Sequence, residues 1–411
     1  MRTIGEASQS LSPPREADQR RMGRRLFLRR AGLGAGAVLL AAGAGTTWRA
    51  LDQGVFATGE GAAYAAWGDW DVLGSGDLLP LVRAAVLAAN AHNTQPWTFA
   101  LGARQIDLFA DPARTTGALD PLRRELHISL GCALENLTLA AQARGLDPTV
   151  ALLPTPGDPA HIARIDLAPG AVVASPLYAA IPRRHTDRGA YDLARPLDAA
   201  TRDALAARNA DPALTLVWLT TPEAKARFAE LTVQATAAII ADPEQARDDF
   251  AWWRGDWAML QARKDGITLD PGGLPDHIRA LGKLLPAQSL AAYDAAWAQG
   301  VRDRQLPTAA AFGLLIARDG GDIAQRLAAG QLWQRLHLSA TAQGLAMQPL
   351  CQIPERIDRE RATGDEPTMT RAFAGLLPDG DGQAVMAFRI GYPTAGTHPS
   401  PRRPAAEVLR A

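Results

Sequence analysis

The stretch AANAHNTQPW, Ala88 to Trp97, decides how this chain reads. It crowds Asn90, Asn93 and Gln95 behind an apolar run and closes on Pro96 and Trp97. Each amide side chain carries a carbonyl acceptor and two N–H donors, which suits a planar heterocycle with alternating donors and acceptors. Proline lacks the N–H a helix needs and stops it, while the tryptophan anchors the turn that follows. An Asn-rich helix C-cap leading into a strand accounts for the same residues.

Around that segment the pattern is α+β. Leu78 to Ala89 reads as an amphipathic helix, Trp97 to Phe109 as two short strands, and Glu125 to Arg144 as a long helix closed by Gly145. Leu146 to Leu153 and Ile162 to Leu167 read as strands. Shifting the sequence by 199 positions superposes Gly131 on Gly330, Leu137 on Leu336, Leu139 on Leu338, Ala141 on Ala340, and Gly145-Leu146 on Gly344-Leu345. Two Ala-rich helices can agree by composition, but the matched glycine stop followed by strand-like residues favours an internal duplication.

With 411 residues the chain can bury one large core or two medium ones. Its 43 basic and 43 acidic residues cancel, so no basic excess points to nucleic acid. Cys132 and Cys351 sit in apolar surroundings outside any CxxC or Cys/His cluster, which reads as two small buried hydrophobes, with a disulfide as the alternative, and no metal site. His92, His127, His161, His185 and His337 are scattered and read as surface or cap residues. No Ser/His/Asp arrangement or phosphate-binding glycine loop competes for a function.

At the N-terminus, Arg24-Arg25-Leu26-Phe27-Leu28-Arg29 precedes a weakly apolar, Gly- and Ala-rich run from Ala31 to Gly45. Paired arginines before a short apolar region form a twin-arginine export signal, which is expected over residues 1–45. That implies passage through the export machinery in the folded state, to the periplasm or cell envelope. The small residues near Ala42 to Ala44 are only loosely a cleavage site, so an uncleaved segment would stay as an anchor. Residues 46–76 read as a linker and entry segment.

Farther along, RRHTDRGAY, Arg183 to Tyr191, places three guanidiniums and a hydroxyl close together. Arginine binds phosphate oxygens bidentately and stays charged, so this is a candidate phosphate clamp; a solvated basic turn is the alternative. The tail adds RIGYPTAGTHPSPRRP, Arg389 to Pro404, with Arg402 and Arg403.

Together these motifs resemble the FMN-dependent nitroreductase superfamily, and in particular its tandem-domain Acg-like branch. Asn93-Thr94-Gln95-Pro96-Trp97 is similar to the family's NxQPW loop, and Arg184, Thr186 and Arg188 fall on its phosphate-gripping element. Arg402 and Arg403 fall where the family places a basic residue on the same phosphate. GLAMQPLCQIPE, Gly344 to Glu355, resembles the loop that brings Pro349 to the flavin N5 edge, but Cys351 and Gln352 stand where Glu and Gly are frequent.

The resemblance implies two tandem nitroreductase-like units, 77–175 and 176–411, forming an intramolecular pseudo-dimer and hence a monomer. It implies one FMN, bound by Asn90, Asn93, Gln95, Arg184, Thr186, Arg188, Pro349, Arg402 and Arg403. Between the units' shared elements, residues 241–306 form an insertion in which Phe250, Trp253, Trp257 and Leu260 fall at helical spacing. That face is either core packing or a lid over the flavin. The implied activity is hydride exchange at flavin N5 with small nitroaromatic or quinone-like acceptors. The alternative is a flavin-sequestering protein with little turnover.

Overall fold

The computed structural model describes residues 43–71, 78–377 and 382–410. Residues 1–42, which carry most of the expected export signal, lie outside them. No helix among the described residues is long and apolar enough to cross a membrane.

Eight strands form two antiparallel sheets. β1 (Trp97–Leu101), β2 (Gln105–Ala110), β3 (Leu146–Leu152) and β4 (His161–Pro169) assemble in the order β1-β2-β4-β3. β5 (Leu214–Leu219), β6 (Ala311–Ala317), β7 (Ala346–Pro349) and β8 (Gln383–Gly391) assemble as β5-β6-β8-β7, the same order one repeat later. Each half inserts a 20-residue helix between its second and third strands, Arg124–Ala143 in the first and Ile323–Ala342 in the second. The free N–H groups at the start of the first long helix are satisfied locally: the Asp120 carboxylate accepts from the Glu125 and Leu126 N–H groups, which have no partner within the helix. Gly145 and Gly344 follow the two helices with φ of +71° and +74°, the left-handed turn that ends a helix and is open to glycine at no steric cost.

The two long helices cross against each other at Gly131 and Gly330. A methyl group built on Gly131 would lie 2.1 Å from the Leu327 carbonyl oxygen, and one on Gly330 would lie 2.1 Å from that of Ile128. Only glycine permits this backbone approach. Reciprocal polar contacts flank the crossing: Gln334 Nε2 donates to Asn136 Oδ1 at 2.8 Å, and Arg335 forms a bidentate pair with Glu135 at 2.7 Å on each arm. Seventeen of the twenty residues of the first helix are buried, so it is the middle of one shared core and not a surface helix. Leu130, Leu134 and Leu137 join Leu327, Leu332 and Phe388 in a single apolar cluster that spans both halves.

The halves differ in their connections. β1 and β2 form a tight hairpin over residues 102–104, whereas residues 220–310 separate β5 from β6. The insertion is therefore longer than the expected 241–306, because the helix Pro222–Ala241 belongs to it and packs Phe228 and Leu231 beside Phe312. The expected continuous face from Phe250 to Leu260 is broken: one helix ends at Phe250 and the next begins at Trp257. Gly255 and a short bridge between Trp253 and Ile267 occupy the gap, so Trp253 and Trp257 point to different neighbours. The helix beginning at Leu79 ends at Ala85 and is buried on nearly every side, where an amphipathic helix was expected. Within the expected linker and entry segment, Ala63 and Tyr64 are buried against Leu260.

The crossing gives a direct test. Gly131→Ala or Gly330→Ala should destabilise the fold by about 1–3 kcal/mol or more, because the obstructing atoms are backbone and the helices must part. Gly68→Ala, where nothing lies within 4 Å, should be neutral or slightly stabilising. Denaturant unfolding of the three variants measures the contrast.

Candidate functional site

A cavity of about 630 Å³ lies between the halves, in the size range of cofactor pockets. The first half contributes the Asn90–Asn93 loop and the Glu125–Cys132 face of its long helix; the second contributes Arg184–Arg188 and the Gln348–Glu355 turn. The insertion covers it with Trp253, Leu274, Tyr293 and Trp297, and the entry segment and tail add Trp67 and Arg402.

Its electrostatics are unusual. Arg184 and Arg402 are buried, and among the described residues neither forms an ion pair with a carboxylate. Arg184 donates through Nη2 to the Leu87 carbonyl at 3.1 Å, leaving Nε and Nη1 without a partner. Arg402 donates to the Asn93 side-chain oxygen and to the carbonyls of Pro401 and Ala88, leaving Nε unpaired. Burial pulls the Arg184 guanidinium down to about 10. Burial, and then the positive charge of Arg184, holds Arg402 well below its ordinary range. His185 beside them is pushed down to about 3 by burial and then by both arginines, so it is neutral; its ring meets Trp67 edge-on at 4.6 Å. Arg188 also lines the cavity, toward Asp249 and Tyr293, and burial lowers it too.

Of the other residues expected at the site, Asn90, Asn93, Thr186, Pro349, Cys351 and Gln352 line the cavity; Gln95 and Arg403 do not. The three amides expected to read a heterocycle also bond within the protein. Asn90 Oδ1 accepts the Gln95 N–H at 2.8 Å, Asn93 Nδ2 donates to the Pro401 carbonyl at 2.8 Å, and Gln95 donates to the Lys264 carbonyl and accepts the Arg403 N–H, both at 2.8 Å. These bonds hold a strained loop. His92, Asn93 and Gln95 have φ of 49°, 55° and 51°, a left-handed conformation costly for residues with a Cβ. Trp253 lines the cavity, whereas Trp257 packs on Gly54 and the Tyr64 cluster away from it.

Several site residues escaped the sequence reading. His92 Nε2 contacts Asp249 Oδ1 at 2.8 Å, and the Tyr293 hydroxyl donates to the same oxygen at 3.1 Å. Burial alone would lower the His92 imidazole, but the Asp249 bond and charge outweigh it and its pKa is raised. On the adjoining wall Glu355 is pushed well above the usual carboxyl range, first by burial and then by neighbouring Glu125. His127, His161 and His337 are buried, not on the surface. Arg389, at the start of the RIGYP segment, is fully buried and donates to the carbonyls of Asp187, Gly189 and Gln305 and to Gln348 Oε1, which fixes both cavity loops. Its 200-residue reach leaves no local signal to find it by.

No family model matches the chain. It is 30% identical over 335 residues, 80% of this chain and 88% of the other, to the Mycobacterium tuberculosis protein named "Putative NAD(P)H nitroreductase Rv3131". It is 36% identical over 88 residues, 21% of this chain and 27% of the other, to "Putative NAD(P)H nitroreductase acg" of the same organism. Among solved structures, the FMN-dependent nitroreductase NfnB from Mycobacterium smegmatis in complex with NADPH aligns with a TM-score of 0.35 and 18% identity, over 57% of this chain and 97% of that one. The extended similarity to Rv3131, running through both halves, makes this chain a member of the nitroreductase family.

Proposed function

We propose that the protein is an FMN-dependent oxidoreductase of nitroreductase type, whose two halves act as an intramolecular pseudo-dimer around one FMN and reduce small nitroaromatic or quinone-like acceptors. The observation that carries this reading is the pair of buried, carboxylate-free guanidiniums of Arg184 and Arg402 facing one cavity. Uncompensated buried charge is costly, and a phosphate supplies both the missing negative charge and acceptors for the idle N–H groups. The donor set fits FMN: these arginines and Thr186 would hold its phosphate, Pro349 and the Cys351–Gln352 turn would border its ring, and Trp253 with Tyr293 would cover it. Bound there, FMN supplies the two-electron carrier.

Reduction of a nitro or quinone oxygen requires protons as well as electrons. His92 is placed to hold one. Asp249 occupies Nε2, which leaves Nδ1 as the nitrogen that can pass its proton to a cavity-bound acceptor. The cover formed by the insertion also suits the second reading, a protein that holds flavin and excludes reductant. The relatives' name makes NAD(P)H the first donor to try. Anaerobic mixing with NADPH, NADH or dithionite, followed at the flavin absorbance, separates the two: rapid bleaching by a nicotinamide marks an enzyme, and bleaching by dithionite alone marks storage.

Denaturing release should yield one FMN per chain. Arg184→Ala and Arg402→Ala should each weaken FMN ten- to a hundredfold, about 1.5–3 kcal/mol, while riboflavin affinity hardly changes. Titration with both flavins measures this, and equal losses for both would assign the arginines to the fold alone.

A second expectation concerns pH. Because the His92 pKa is raised, its acid form persists to higher pH than in a free imidazole, and acceptor reduction should fall as pH climbs through that value. His92→Gln should remove this limb and lower turnover while leaving FMN affinity within about twofold of the original. Rate profiles for acceptor reduction measured against pH test it, and an unchanged limb would dismiss His92 as the proton source.

A further inference from the structure

Ten large apolar side chains are exposed among the described residues, and six of them, Trp48, Leu51, Phe56, Ile278, Leu281 and Leu285, lie on two segments that pack together. Trp48 and Leu51 lie one turn apart on the helix Gly43–Asp52, with Phe56 just beyond it. Ile278, Leu281 and Leu285 follow at helical spacing along Asp276–Leu284 and its C-cap. The two segments are pinned side by side. Arg49 donates to the carbonyls of Leu284 and Leu285 at 2.7 and 2.9 Å, and Lys283 Nζ donates to the Gly54 carbonyl at 3.2 Å.

The helix Asp276–Leu284 is inverted relative to an ordinary surface helix. Its lysine, Lys283, is buried and paired with Asp270 at 2.8 Å, while its apolar stripe faces solvent. A surface helix of a free-standing domain turns that stripe inward. Scattered exposed leucines need no explanation, but a contiguous patch of this kind marks a contact surface.

The geometry points to a lipid bilayer as the occupant: we propose that this face seats the protein on a membrane surface. Two observations select lipid. Residues 1–42, outside the described structure, continue in sequence into Gly43, the first residue of the helix that carries Trp48 and Leu51. They contain Arg20, Arg21, Arg24, Arg25, Arg29 and Arg30 followed by the apolar run from Ala31, the composition that anionic lipid attracts. The patch itself mixes Trp and Phe with Leu and Ile, and aromatic rings of this type favour the headgroup boundary. The basic, apolar sequence before residue 43 is thus covalently continuous with the helix that carries part of the apolar face. This inference does not depend on the flavin or on turnover.

The test uses the full chain and vesicles of phosphatidylcholine and phosphatidylglycerol. Leu281→Glu with Leu285→Glu, both at exposed positions, should leave the melting temperature unchanged and lower vesicle partitioning roughly tenfold or more. Bromine-labelled lipid should quench part of the tryptophan emission, and Trp48→Phe should remove that part while partitioning persists. Partitioning unaffected by the double substitution, which would leave binding to the N-terminal segment alone, would overturn the proposal. So would bromolipid quenching unchanged in Trp48→Phe. A concentration-dependent dimer that the double substitution dissociates, without vesicle binding by the original protein, would assign the face to a second copy and overturn it equally.

Discussion

The contact between Gly131 and Gly330 is the constraint on which the rest of the structure depends. With the backbones of two buried helices touching at a point related by the 199-residue repeat, the separation of the two sheets is set by main-chain atoms and not by adjustable side chains. The cavity lies along the flank of that crossing. Glu125, Ser129 and Cys132 on one helix and Trp333 on the other all reach it, so any widening of the helix pair would pull its walls apart. Fold stability and site geometry are therefore coupled through two residues that have no side chains.

Against that rigid frame the site stores charge and strain. Two guanidiniums are buried without a carboxylate, and three non-glycine residues within four positions take left-handed backbone. Neither condition is favourable alone. Each is offset by the same bonds: Asn93 takes the Arg402 guanidinium on its side-chain oxygen and ties its own nitrogen to Pro401, so the strained loop and the charged tail hold each other. Arg389 does the equivalent for the opposite wall, and its stacking over Tyr191 at 3.9 Å keeps its charge over a ring face.

What could be read in the sequence was what local pattern encodes. The long helices, their glycine stops and the duplication follow from period and spacing, and the two arginine motifs follow from the clustering of one residue type. Direction was harder to read. The amides of Asn90, Asn93 and Gln95 look like ligands because amides recognise rings, yet they also close on backbone contributed by Ala88, Gln95, Lys264, Pro401 and Arg403 and on the Arg402 guanidinium. The Trp253–Trp257 face looks continuous because four residues make one turn, yet the intervening break turns Trp257 toward Gly54. His92 with Asp249 and Arg389 with Asp187 lie 157 and 202 residues apart, and periodicity holds no information at that range.

The duplication also explains why the two halves are unequal as sites. In a symmetric dimer every wall residue appears twice, whereas in a single chain each copy is free to change. Adding 199 to Glu125, Ser129 and Cys132 gives Ala324, Ala328 and Gln331, so the helix face that lines the cavity in the first half has lost its acid and its hydroxyl in the second. The turn after the third strand diverges the other way. β7 leads into the helix Gln352–Thr363, which brings Gln352 and Glu355 to the cavity, while β3 returns to β4 through residues 153–160 with no helix. One cavity thus takes most of its long-helix wall from the first half, with Trp333 from the second, and its strand-end wall from the second. What the two halves share is the helix crossing and the sheet order, while the residues that line the cavity differ between them.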